Sequence, residues 1–141
     1  MKIRKLLLSI ICAASLSGCG GQVYETYNIG ICAKYDFISV NVDVENKTFT
    51  IIGVTVSSNS IEKLDKPIIL TYVGTKDGLR EYTANEEYGP VEVDITIKNG
   101  ELIGILKINN EVSAKLHGHR GKFETLGQDS TKEYETCIAT R

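Results

Sequence analysis

Residues 91 to 108 limit the possible folds more than any other stretch of this chain. Val91, Val93, Ile95 and Ile97 alternate with Glu92, Asp94, Thr96 and Lys98, the period-two pattern of a strand with one face in a core. Asn99-Gly100 follows, the pair best suited to a two-residue type I′ turn, in which both central residues take positive φ. Such a turn fixes the register: Lys98 faces Glu101, Ile97 faces Leu102, Ile95 faces Gly104, Val93 faces Leu106 and Glu92 faces Lys107. Opposite charges then meet at both ends of one face and apolar groups meet on the other, each pair adding about 0.2–1 kcal/mol. Gly104 opposite Ile95 leaves a dent on the inner face, which suits a tightly curved sheet. Ile103 and Ile105 point outward, so that face is expected to be partly covered.

The remaining sequence reads almost entirely as β. Ile38, Val40, Val42 and Val44 alternate with polar residues over 36–45, and Asn46-Lys47 turns into 48–58. There the apolar phase slips at Ile51-Ile52 beside Gly53, which predicts a bulge. Residues 59–66, with Ile61 and Leu64 three apart, suggest one helical turn before Pro67 opens a strand over 68–73. Asp77-Gly78 is a second hairpin signal, returning through 79–84 to a loop over 85–90. Near Asn109-Asn110 a three-residue loop would pair Lys107 with Glu111 and Leu106 with Val112, keeping 111–116 apolar inside. Residues 122–126 and 133–139 read as the last strands. The expected fold is therefore all-β: a single antiparallel β-barrel or sandwich of about eight strands.

The N-terminus carries a different signal. Lys2, Arg4 and Lys5 precede a run from Leu6 to Leu16 that is apolar except for Ser9 and Ser15, followed by Ser17 and Gly18. This is the plan of a secretory signal peptide, too short to span about 30 Å of hydrocarbon as a stable helix. Leu16-Ser17-Gly18-Cys19 resembles the lipobox of bacterial lipoproteins. The resemblance implies cleavage before Cys19, a diacylglyceryl group on its thiol and a further acyl chain on the new amino terminus. At about 0.8 kcal/mol per buried methylene, two or three chains anchor a protein durably. Gly20 and Gly21 are not the aspartate that retains many such proteins at the inner membrane of enteric bacteria. The expected location is thus the cell envelope, at the outer membrane and facing the periplasm. The expected organisation is a signal peptide over 1–18, a lipidated tether over 19–30 and a β-domain over 31–141.

Loss of residues 1–18 removes three bases and no acid from a chain whose net charge is already −2. An acidic domain lacks the basic stripe that displaces counterions from phosphates, so a nucleic-acid partner is not expected. Of four cysteines, Cys12 leaves with the signal and Cys19 takes the lipid. Cys32 and Cys137 remain, an even pair in an exported protein, and predict a disulfide pinning the first strand to the last. Closing a loop of about 100 residues is worth up to roughly 4–5 kcal/mol in the chain-entropy model.

Chemistry-bearing motifs are sparse. His117-Gly118-His119 is the one histidine cluster. On a strand both imidazoles share a face and can take one metal ion, with Glu124 or Asp129 folding back as third ligand. The plainer reading is a glycine-flanked turn with solvated histidines; no metal and no other cofactor is expected, His117 and His119 being the candidates if one binds. Arg120-Gly121-Lys122 reads as a solvated turn rather than an anion site. No Gly-x-Ser-x-Gly elbow occurs. The adjacent Glu86 and Glu87 would point to opposite sides, unlike a carboxylate pair working on one substrate. No catalytic residue is assigned, and an enzyme is not expected. The seven tyrosines suit a core rim or a protein contact. The expectation is a non-enzymatic envelope lipoprotein: a binding module held to the bilayer through acylated Cys19, engaging a protein partner as a complex subunit or as an inhibitor or immunity-type protein. The layout resembles that of small lysozyme-inhibitor lipoproteins, which are disulfide-closed β-barrels, in architecture alone. The alternative is a calycin-like carrier of a small apolar ligand or lipid.

Overall fold

The Asn99-Gly100 hairpin forms in the register that its side chains dictate, from Lys98 opposite Glu101 to Glu92 opposite Lys107. It is one of seven consecutive antiparallel pairings in the computed structural model, which describes residues 24–57 and 60–141. The strands are β1 (Tyr24–Cys32), β2 (Phe37–Glu45), β3 (Thr48–Ser57), β4 (Ser60–Lys76), β5 (Leu79–Glu86), β6 (Gly89–Lys98), β7 (Glu101–Ile108) and β8 (Glu111–Arg120). β8 pairs with β1, from Arg120 opposite Tyr27 to Lys115 opposite Cys32. The sheet is therefore a closed up-and-down barrel rather than a sandwich, and closure leaves no free strand edge. Positive φ falls where the turn chemistry requires it, at Asp77 and Gly78 and at Asn99 and Gly100.

Inward-facing side chains fill the middle of the barrel. Tyr27, Ile29, Val42, Val44, Phe49, Leu70, Tyr82, Ile95 and Leu102 are each at most 1% exposed. The two buried tyrosines keep their hydroxyls satisfied. Tyr82 Oη donates to the Glu45 carbonyl at 2.8 Å and accepts from Arg80 Nε at 2.8 Å, while Tyr27 Oη donates to Glu25 at 3.2 Å. The expected bulge is present: Asn41 faces Gly53 and Val42 faces Ile51, leaving Ile52 as the extra residue.

Several expectations need correction. The β7–β8 loop has two residues, not three, with Asn109 and Asn110 both at positive φ and Ile108 opposite Glu111. A register shift after Leu106, which faces Ala114, then returns Ala114 and Leu116 to the interior and leaves Val112 62% exposed. A bulge thus does what the longer loop was invoked to do. Residues 60–66 are strand, not a helical turn. Pro67 lies inside β4, between the Gly53–Lys63 and Ile51–Ile68 pairs, where the ladder is interrupted and its missing N–H costs little. The first strand begins at Tyr24, within the stretch read as tether; Cys19 and residues 1–18 lie outside the described residues.

The largest correction is at the C-terminus. Instead of two strands, residues 122–141 form a 3-10 turn (Phe123–Thr125) and a helix, α1 (Leu126–Thr140), packed outside β1 and β2. Leu126, Glu133 and Cys137 are its buried positions, spaced by seven and four along one helical face. Gly30 lets the helix approach: a Cβ there would stand 2.8 Å from Glu133 Cβ. The Cys32–Cys137 disulfide forms, with Cα atoms 5.6 Å apart. Because Cys137 is helical, the bond ties the β1–β8 seam to α1 rather than to another strand.

Candidate functional site

Alternation along β8 decides where the histidines go. Leu116 and Gly118 are buried toward the barrel interior, so His117 and His119 stand together on its outer wall. They are strand residues rather than a solvated turn. β7 runs alongside, placing Glu101 opposite His119 and Ile103 opposite His117. From the other side α1 lowers Glu133, which is only 6% exposed.

These four side chains make one connected cluster. His117 Nδ1 lies 2.5 Å from Glu133 Oε1, and His119 Nδ1 lies 3.2 Å from Glu133 Oε2. On the opposite ring edges, His117 Nε2 lies 2.8 Å and His119 Nε2 3.8 Å from Glu101 Oε2. The rings are edge-to-face, with centroids 5.1 Å apart. Burial alone would pull the His117 pKa down, but the hydrogen bonds and charges of Glu133 and Glu101 outweigh it and hold the pKa above its ordinary value. Glu124 and Asp129 are not the carboxylates that reach the histidines. Asp129 instead accepts from Asn28 Nδ2 at 2.8 Å and from Thr125 Oγ1 at 3.1 Å.

That Asn28 contact belongs to a buried bracket at the start of α1. Asn28 Nδ2 also donates to the Lys122 carbonyl at 2.8 Å, and Asn28 Oδ1 accepts from Asn41 Nδ2 at 2.8 Å. Arg120, read as part of a loose basic turn, pairs with Glu25 on β1. Glu86 ends β5 opposite Gly89, so it and Glu87 belong to a hairpin turn rather than to a cleft. A second acidic group, Glu81, Glu92 and Asp94, gathers on the outer wall. Lys107 lies 3.6 Å from Glu92 and 3.4 Å from Asp94, and its bonds to Asp94 and Glu92 raise its pKa.

Two concavities adjoin these features. A groove of about 390 Å³ runs between α1 and the β7–β8 wall, lined by Ile103, Ile105, His117, Glu133 and Cys137 among others. On that face Ile105 is half-buried, whereas Ile103 is 48% exposed. The barrel itself retains an apolar cavity of about 120 Å³ near the end carrying the β5–β6 and β7–β8 turns, with Ile51, Ile68, Tyr88 and Ile108 among its lining.

Sequence reasoning found His117 and His119 but missed both carboxylates. Glu101 was within reach, because the Asn99-Gly100 register and an adjacent β8 place it beside the histidines. Glu133 was not, since a strand reading of 133–139 hid the helical face. No protein-family model, no curated protein and no solved structure matches this chain.

Proposed function

We propose that this protein is a lipid-anchored envelope binding module whose barrel presents its outer surface to a protein partner. The observation that carries the reading is the filled interior. Nine core side chains leave no more than 1% exposure each, and the residual cavity of about 120 Å³ falls well short of the roughly 300–1,000 Å³ of ordinary ligand pockets. Recognition by a packed barrel falls to its surface. Apolar side chains cluster at the cavity end, with Tyr88 62% and Ile68 38% exposed there, and aromatic and aliphatic rims of this kind anchor protein contacts. The lipobox over 16–19 supports presentation at a membrane.

The test is site-specific photocrosslinking in the native envelope. A crosslinker at Tyr88 or Ile68 should give one discrete protein adduct, and the same group at Lys76, at the other end of the barrel, should not. Absence of any adduct from the rim positions would contradict the reading.

The small cavity keeps a second reading open, that of an apolar-ligand carrier. Its volume matches a benzene-sized molecule rather than a fatty acid. Saturable binding of such a hydrocarbon, with a rise in melting temperature that Ile68→Asp abolishes, would favour the carrier.

A further inference from the structure

The histidine cluster has the geometry of a ligand set around a point that the side chains already face. Glu133 gives one carboxylate oxygen to Nδ1 of each histidine, at 2.5 and 3.2 Å. With Glu133 accepting from both Nδ1 atoms, an ion that displaces the Nε2 protons now facing Glu101 would meet both Nε2 lone pairs at one point. This is the outer-carboxylate arrangement of metal-bound histidines. Both Nε2 atoms turn toward the same atom, Glu101 Oε2, at 2.8 and 3.8 Å. One donor atom from each of Glu101, His117 and His119 lies within 4.8 Å of the others. In a tetrahedral site with bonds of about 2.0–2.1 Å, neighbouring donors stand about 3.4 Å apart, between the two Nε2–Oε2 spacings.

We propose that Glu101, His117 and His119 bind a divalent transition-metal ion of the zinc type, with Glu133 as the buried carboxylate that orients both imidazoles. Imidazole nitrogen and carboxylate oxygen are the donors such ions prefer. The donors sit on two directly paired strands, so the barrel wall rather than a loop fixes their spacing. Ion access is open, His119 and Glu101 side chains being 58% and 42% exposed. Three protein donors leave a fourth position for water or a side chain of a bound partner. Because Glu133 comes from α1, the ion would also tighten the seat of the helix against β8.

An ion-pair cluster that merely seats the helix makes different predictions, so untagged, chelator-stripped protein titrated with zinc chloride separates the two. Calorimetry should show saturable binding of one ion per chain, and the melting temperature should rise by several degrees. His119→Ala and Glu101→Gln, both at exposed positions, should each weaken zinc binding at least tenfold. Glu133→Gln should weaken it about 10–100-fold while leaving the stoichiometry unchanged. Zinc that leaves the wild-type melting temperature unchanged would overturn the proposal. So would His119→Ala protein that binds zinc as tightly as the wild type. The two exposed variants keep the test decisive should Glu133→Gln fail to fold.

Discussion

Gly118 lies between the two histidines, opposite Ile29 on β1. A Cβ at this position would run into the Asn28 carbonyl oxygen and the Ile29 backbone, atoms that cannot swing aside as a side-chain tip can. Gly118→Ala should therefore destabilise the barrel by about 1–3 kcal/mol, read as a lower denaturant midpoint with an unchanged slope. Asn28 matters for the opposite reason, since it supplies contacts rather than space. It is 2% exposed and joins β1 to β2, to Lys122 and to Asp129. Asn28→Ala leaves the buried Asn41 amide and the part-buried Lys122 carbonyl and Asp129 carboxylate without this partner and should cost about 1–3 kcal/mol. Hydrogen exchange should locate the loss at the start of α1. Neither role is legible from the residue alone: Asn28 sits in a segment whose polar character suggested a tether, and only the docked helix gives it a purpose.

Among the elements, those whose side-chain period agrees with their local propensity were legible in advance. The β6–β7 hairpin is one, because its alternation, its Asn-Gly turn and its charge pairs all require the same register. The C-terminal helix was not. Gly127, Ser130, Thr131, Thr136 and Thr140 are poor helix formers, and the buried stripe has Glu133 where a hydrophobic residue would have revealed the period. Tertiary contacts hold it instead: Phe37 stacks edge-on against Tyr134 with ring centroids 5.3 Å apart, and Cys137 is bonded to Cys32. The bond closes a loop spanning a sequence separation of 105. The chain-entropy model gives such a closure up to roughly 4–5 kcal/mol. Replacing both cysteines by serine should lower the melting temperature by well over 10 °C. Exchange of amides in α1 should rise before that of β6 and β7. Equal protection of helix and hairpin in that variant would show that the helix does not depend on the bond.

For the whole molecule, an all-β fold followed from the density of alternating segments and turn signals. Barrel rather than sandwich did not, because closure depends on β1 meeting β8, a pairing with no local signature. A closed, side-chain-filled barrel with one covering helix has little interior to offer a ligand, which turns attention to its outer wall and to where that wall is displayed. On the proposed reading, acylation of Cys19 sets the display. Cys19→Ser should move the protein from the membrane fraction to the soluble fraction. The most direct measurement is the intact mass of the native protein purified from its own envelope. The account requires a chain that begins at Cys19, carries the mass of two or three acyl chains and holds Cys32 and Cys137 oxidised. An unacylated polypeptide still beginning at Met1 would contradict it.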